Sequence, residues 1–167
     1  MKKVLVVVDM QNDFVTGVLG TPEARSLVDS MVQFVDGFDG EVIFTQDTHF
    51  ENYLETQEGK RLPVEHCIID TDGWQIIPEL KSLAEIKFKK ATFGSIMLGE
   101  DLYKRNPDEI HFVGVCTGIC VIANAIMAKS FCPEARIVIH KDLCADVTPE
   151  AHELALKSLD ALQMDIE

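Results

Sequence analysis

Cys120 lies in HFVGVCTGICVIAN, the stretch from His111 to Asn124, where the pattern of the chain changes within a few residues. Ile110, Phe112, Val113 and Val115 form a short apolar run suited to a buried strand, whereas Ile119, Val121, Ile122, Ala125 and Ile126 recur at helical spacing. Gly114 and Gly118 permit a tight bend between the two, and Thr117 reads as an N-cap, which places Cys120 in the first helical turn. Exposed N–H groups and the positive end of a helix dipole favour thiolate there, and can bring a cysteine well below its free value of about 8.5. The plain alternative is a small apolar residue packing a helix onto a sheet. Other reactive side chains also follow apolar runs: Asp9 after VLVVV, Asp47 and His49 after EVIFT, Lys90 after EIKF. His66 follows later in LPVEHC, so that Asp47, His49 and His66 offer one oxygen and two imidazoles, a set suited to zinc, iron(II) or manganese.

These positions need a scaffold that brings strand ends together. Lys3 to Val8 reads as a fully buried strand and Pro22 to Phe38 as an amphipathic helix with Leu27, Met31, Phe34 and Val35 inward. Glu41 to Thr45 is a second strand, and Gln46 to Gly73 a long polar loop of functional length. Then come a short helix over Ile76 to Leu83, a strand over Glu85 to Phe88 and a helix over Leu98 to Arg105. After the Cys120 stretch follow a strand over Arg136 to His140, a helix from Pro149 to Leu162, and a short edge strand over Met164 to Ile166. Such alternation predicts an α/β three-layer sandwich with a central, mostly parallel sheet and right-handed crossovers. Ligands bind such sheets outside the carboxyl ends of the strands, at a switch point, which puts Asp9, Asp47, His49, Lys90 and Cys120 on one rim.

With 167 residues the chain is expected to be a single domain, residues 1–167. A net charge of −13 argues against nucleic-acid and anionic-membrane partners. Five scattered cysteines do not form a disulfide framework, and with no signal peptide evident the expected compartment is the cytoplasm. No apolar run approaches the roughly 20 residues of a membrane span.

VLVVVDMQNDF with Asp9, KATFGS with Lys90 and GVCTGICV with Cys120 resemble the isochorismatase-like cysteine hydrolases, which include nicotinamidases, carbamoylsarcosine amidases and isochorismatases. The likeness spans essentially the whole chain. It implies that Asp9, Lys90 and Cys120 form the catalytic triad and that Val115–Cys116 is a cis peptide. Lys87 and Lys89 compete for the lysine role, but Lys90 has the family spacing to Phe93 and Ser95. Asp9 would take the thiol proton, Lys90 would favour thiolate, and the N–H groups of Cys116 and Cys120 would form the oxyanion hole. A thioester would form and be hydrolysed, giving an acid and ammonia.

The resemblance further implies that Asp47, His49 and His66 hold a divalent metal, as in nicotinamidases, with Glu58, Glu55 or a water completing the set. Phe14 and Phe93 are candidates to pack on a flat ring. One departure stands out: nicotinamidases place an aromatic residue just before the later histidine, whereas here Leu62 and Pro63 occupy that neighbourhood and Trp74 lies beyond it. The implied protein is a homo-oligomeric nicotinamidase of NAD salvage acting on a small amide. The alternatives are another small amide, a carbamoyl compound or an isochorismate-like ether, or a redox or binding module using Cys116 and Cys120.

Overall fold

The computed structural model describes residues 1–167. Six parallel strands form one sheet: β1 (Lys3–Val8), β2 (Glu41–Asp47), β3 (Ile86–Lys90), β4 (Glu109–Val115), β5 (Arg136–Ala145) and β6 (Asp165–Ile166), in the order β3-β2-β1-β4-β5-β6. The order runs outward in opposite directions from β1 and β4, so the switch point lies between their carboxyl ends.

Helices cover both faces, as the near-continuous apolar run of β1 requires. Val4, Val6 and Val8 point to one side, into a core built with Leu98, Leu102, Val121, Ala125 and Leu156. Leu5 and Val7 point to the other, against Met31, Val35, Ile77 and Leu80. All five β1 residues from Val4 to Val8 are fully buried, each contributing about 1.5–3 kcal/mol relative to exposure. A charge at Val6 would therefore dismantle the layer that positions Asp9.

The helices are α1 (Asn12–Val15), α2 (Pro22–Ser26), α3 (Val28–Asp36), α4 (Gln57–Arg61), α5 (Pro78–Lys81), α6 (Ile96–Arg105), α7 (Ile122–Phe131) and α8 (Pro149–Ala161). None is long and apolar enough to cross a membrane.

Several boundaries differ from the sequence expectation. The helix expected over Pro22 to Phe38 is two, because the Leu27 N–H turns back three residues to the Ala24 carbonyl and tightens the chain between α2 and α3. The expected Ile76 to Leu83 helix shrinks to α5, started by Pro78. β5 runs five residues past His140 to Ala145, with an irregularity opposite Phe112 and Gly114, because Cys144 and Ala145 continue the pairing with β4. Thr117 is not an N-cap. Its hydroxyl pairs with His152 Nδ1 at 2.8 Å, and Thr117–Val121 form a π turn in which Val121 N–H reaches the Cys116 carbonyl.

Candidate active site and metal-ligating cluster

β1 delivers Asp9 and β4 delivers the Cys116–Cys120 turn side by side across the switch point. Gly114 makes the approach possible: its φ is +119°, and a Cβ there would lie 2.2 Å from the Val8 carbonyl oxygen. Val115–Cys116 is a cis peptide. Asp9 itself has φ +49°, a left-handed conformation that a non-glycine residue adopts only when its surroundings enforce it. The enforcement comes from β2, where Thr45 Oγ1 donates to Asp9 Oδ1 at 2.6 Å and accepts from the Asp9 N–H at 3.2 Å.

Lys90 ends β3 and reaches into this site. Its Nζ lies 2.7 Å from Asp9 Oδ2, 3.5 Å from Asp47 Oδ1 and 3.6 Å from Cys120 Sγ, and it donates to the Thr92 carbonyl at 3.1 Å. Asp9, Lys90 and Cys120 are all buried. The 2.7 Å contact is a buried ion pair that joins the Lys90 ammonium to the Asp9 carboxylate. Lys87 and Lys89 do not enter the site: Lys87 Nζ donates to the Ala84 carbonyl, and Lys89 lies over the Trp74 ring at 4.8 Å.

Burial raises the Asp9 carboxyl above its ordinary value, with Asp47 adding to the effect and Lys90 opposing it. Burial also works against the Lys90 charge, but Asp9, Cys120 and Asp47 outweigh it and hold the ammonium protonated. The Cys120 thiol is pushed well up, by burial and then by the Asp9 carboxylate, with Lys90 pulling the other way. This corrects the expectation of a thiolate made by a helix terminus. Cys120 does sit in the opening turn, a π turn ahead of the regular helix that begins at Ile122, but the thiol there is buried. Deprotonation of this thiol would need a neighbouring proton acceptor, and the Asp9 carboxyl, itself raised by burial, is the group beside it.

The second group of residues is assembled by the long loop, which is more ordered than its polarity suggests. His49 N–H donates to the Cys67 carbonyl and Ile69 N–H to the His49 carbonyl, both at 2.9 Å, bringing the two histidine segments together. Cys67 N–H also donates to Asp13 Oδ2 at 2.7 Å. Between them lie a short 3-10 turn and α4, which presents Glu58. Gln11 brackets Asp47: its Oε1 accepts from the Asp47 N–H at 2.7 Å, and its Nε2 donates to the Asp47 carbonyl at 2.8 Å.

Asp47, His49, Glu58 and His66 each offer one ligand atom, all within 4.8 Å of one another. His49 Nε2 is 2.9 Å from Asp47 Oδ2, and Glu58 Oε1 is 3.6 Å from His49 Nε2 and 3.8 Å from His66 Nε2. His66 Nδ1 sits 2.8 Å from the Val64 carbonyl, which can only accept, so a neutral His66 presents its Nε2 lone pair to the cluster. Burial and Asp47 raise the Glu58 carboxyl. Burial acts upward on Asp47 too, but His49, His66 and Lys90 hold it below the carboxylate range. A mixed imidazole–carboxylate set enclosed in this way fits a divalent ion. Glu55 belongs to the 3-10 turn and is not one of these four.

A cavity of about 200 Å³ joins the two groups, lined by Asp47, Glu58 and His66 and by Cys116 and Cys120. Phe14, Leu19, Leu62, Phe93, Ile119 and Val147 supply its apolar walls. Phe14 packs edge-on against His66, with ring centroids 5.5 Å apart. Trp74 lies outside this lining, buried with its indole N–H donating to Thr48 Oγ1, and Leu62 stands in the wall instead. All five cysteines are free, Cys116 and Cys120 among them.

Thr45, Gln11 and Asp146, whose Oδ2 accepts from the Gly118 N–H at 2.5 Å, were not singled out from the sequence. The polar QND after Asp9 and the Asp146 that follows β5 were the available signals.

The fold and its rim define an α/β protein in which a buried carboxylate, ammonium and thiol share a cavity with a cluster of four side chains that could hold a metal ion. Residues 3–167 match the isochorismatase domain family, and the chain belongs to that family. A relative from Bacillus subtilis, named as an uncharacterized isochorismatase family protein PncA, is 31% identical over 176 residues, covering 93% of each chain. The nicotinamidase/pyrazinamidase of Mycobacterium tuberculosis is 26% identical, covering 98% of this chain and 97% of the relative. The crystal structure of nicotinamidase PncA from Bacillus subtilis superposes with a TM-score of 0.85 at 29% identity, covering 99% of this chain and 98% of that one.

Proposed function

We propose that this protein is a metal-assisted cysteine amidohydrolase that converts nicotinamide to nicotinate and ammonia, as a single-domain, homo-oligomeric, cytoplasmic enzyme of NAD salvage. The observation that carries the reading is one cavity lined by Cys120, which Lys90 and Asp9 back, and by three of the four metal-ligating side chains. The names of the relatives favour nicotinamide among small amides.

In this reading the Asp9 carboxylate, paired with the Lys90 ammonium at 2.7 Å, accepts the Cys120 proton as Sγ attacks the amide carbonyl carbon. The carbonyl oxygen takes the negative charge and is met by the N–H groups of Cys116 and Cys120; donors of this kind are worth about 3–4 kcal/mol each. Asp9 returns the proton to the amide nitrogen, the C–N bond breaks, ammonia leaves and a thioester remains. Water, deprotonated by Asp9, then attacks the thioester and releases the acid with Cys120 restored. Lys90 keeps its charge throughout and offsets the anion next to it. Phe14 and Phe93 hold the faces of the ring. Asp47, His49, Glu58 and His66 would hold zinc, iron or manganese, a Lewis acid able to take the pyridine nitrogen of the substrate.

Ammonia release from nicotinamide, measured on protein as purified, after chelation and after restoring each metal, tests this function, with metal content per chain measured alongside. About one metal per chain and turnover that follows it are expected. Inert metal-loaded protein would end the nicotinamide assignment, and normal turnover without metal would end the role of the four ligands. Light scattering at several concentrations tests the homo-oligomer, which a strictly monomeric protein would refute.

A further inference from the structure

Asn124 is completely buried one helical turn after Cys120, and every hydrogen bond it makes runs to the nucleophile turn or to the loop that follows Lys90. Its Nδ2 donates to the Cys120 carbonyl at 2.8 Å and to the Phe93 carbonyl at 3.0 Å, and its Oδ1 accepts from the Ser95 N–H at 3.0 Å. Two donor hydrogens and one acceptor are thus all used, and the orientation of the amide is fixed by its partners rather than by choice. The Ser95 hydroxyl in turn caps α6 through the Leu98 N–H, so the far end of this loop is anchored as well. At its near end Lys90 Nζ donates to the Thr92 carbonyl.

From these contacts we infer that Asn124 is a positioning residue that sets the substrate-facing wall, through Phe93, in register with Cys120. The inference rests on the proposed function for its kinetic consequences. Phe93 lines the cavity while the residue remains 44% exposed, so side-chain packing alone does not pin it. Its backbone carbonyl, held by the side chain that also holds Cys120, is what fixes the distance between wall and thiol. A buried amide satisfied at all three positions suits this task, since losing it leaves three backbone groups to find new partners and frees the loop.

Asn124→Ala is expected to raise KM for nicotinamide about tenfold or more, with kcat per alkylatable Cys120 changed much less, because misplacing a wall weakens substrate positioning before it touches the chemistry. A merely structural role would lower the amount of titratable Cys120 and leave KM alone. The double variant with Phe93→Ala sharpens this: if Asn124 acts through Phe93, the second change adds little to the first, whereas additive effects on KM would overturn the inference. Should Asn124→Ala not fold, Asn124→Asp keeps the shape and the acceptor for Ser95 but can donate to at most one of the two carbonyls. It should raise KM in the same direction, and a wild-type KM would overturn the inference. If wild-type protein does not hydrolyse nicotinamide, the proposed function fails separately. Hydrogen exchange at the Ser95 amide, which needs no substrate, then decides: acceleration in Asn124→Ala is expected, and unchanged protection would refute the tie.

Discussion

Replacing Lys90 by methionine keeps most of the length of the side chain and removes its charge. Two unit charges at the 3.6 Å separation of Lys90 Nζ and Cys120 Sγ interact by about 5 kcal/mol at an effective dielectric constant of about 20. Asp9 offsets part of this, because without Lys90 its carboxyl rises further and carries less of the negative charge that disfavours thiolate. If only a third survives, the thiolate fraction at a fixed pH still falls about tenfold. The sign is set by the same groups: burial and Asp9 push the Cys120 thiol up, Lys90 pulls it down, and removing Lys90 moves ionisation to higher pH. Asp9 responds too, since burial already raises it and the departing ammonium was the main opposing influence. Iodoacetamide alkylation of Cys120 in Lys90→Met, followed from neutral to alkaline pH, should therefore run about tenfold slower at neutrality and recover only at higher pH. Ammonia release should fall further than alkylation, because a protonated Asp9 cannot act as base. Breaking a buried pair costs about 3–5 kcal/mol when one charge is left alone, so circular dichroism must accompany the assay. Superimposable alkylation profiles in a folded variant would remove Lys90 from the chemistry.

Cys120→Ala should reduce ammonia release on the order of 10⁴-fold or more in a folded protein, whereas Cys116→Ala, which retains its backbone N–H, should cost only a few-fold; equal losses in both would dissolve the assignment of the nucleophile. Zinc should raise Tm more at about pH 8 than at about pH 5, because carboxylate and imidazole ligands must shed protons to bind. Glu58 adds to the trend: its raised carboxyl makes the metal-free protein most stable below the ordinary carboxylate range and less so as pH climbs through the raised value. Asp47 is lowered, its contribution is already complete at both pH values, and it drops out of the comparison. Differential scanning fluorimetry gives the answer, and equal zinc shifts at both pH values would exclude proton-releasing binding at this cluster.

The strand-end logic made most of the site legible. Asp9, Asp47, Lys90 and the Cys120 turn each follow an apolar run, and a parallel sheet has only one rim where such residues can meet. Boundaries were less legible where tertiary contacts decide them. Nothing local distinguishes one long helix from α2 and α3, because the break at Leu27 serves the alignment of Ala24, Met31 and Val35 on the core. Thr117 has the composition of an N-cap, yet His152, 35 residues away, takes its hydroxyl. The same distance hides Thr45, Gln11 and Asn124: each is an ordinary polar residue in sequence, and its role exists only through partners on other elements. The expectation that the helix dipole favours thiolate at Cys120 missed burial for a related reason, since burial is a property of the closed layers and opposes the local dipole.

From the sequence, the triad and the metal-ligating set read as separable groups, one for chemistry and one for substrate placement. The structure couples them through Lys90, whose Nζ lies between Asp9 Oδ2 at 2.7 Å and Asp47 Oδ1 at 3.5 Å. Two carboxylates thus draw on one buried ammonium, and the charge of Asp47 also acts on Asp9 and Cys120, raising both. His49 and His66 moderate Asp47 from the other side, at 2.9 Å and 3.6 Å from its Oδ2. Any change that leaves Asp47 less neutralised takes more of Lys90 away from Asp9 and disfavours thiolate at Cys120. Removing His49 or His66 should for that reason be felt at the sulfur as well as at the ligand cluster, and the single cavity that both groups line is electrostatically one site.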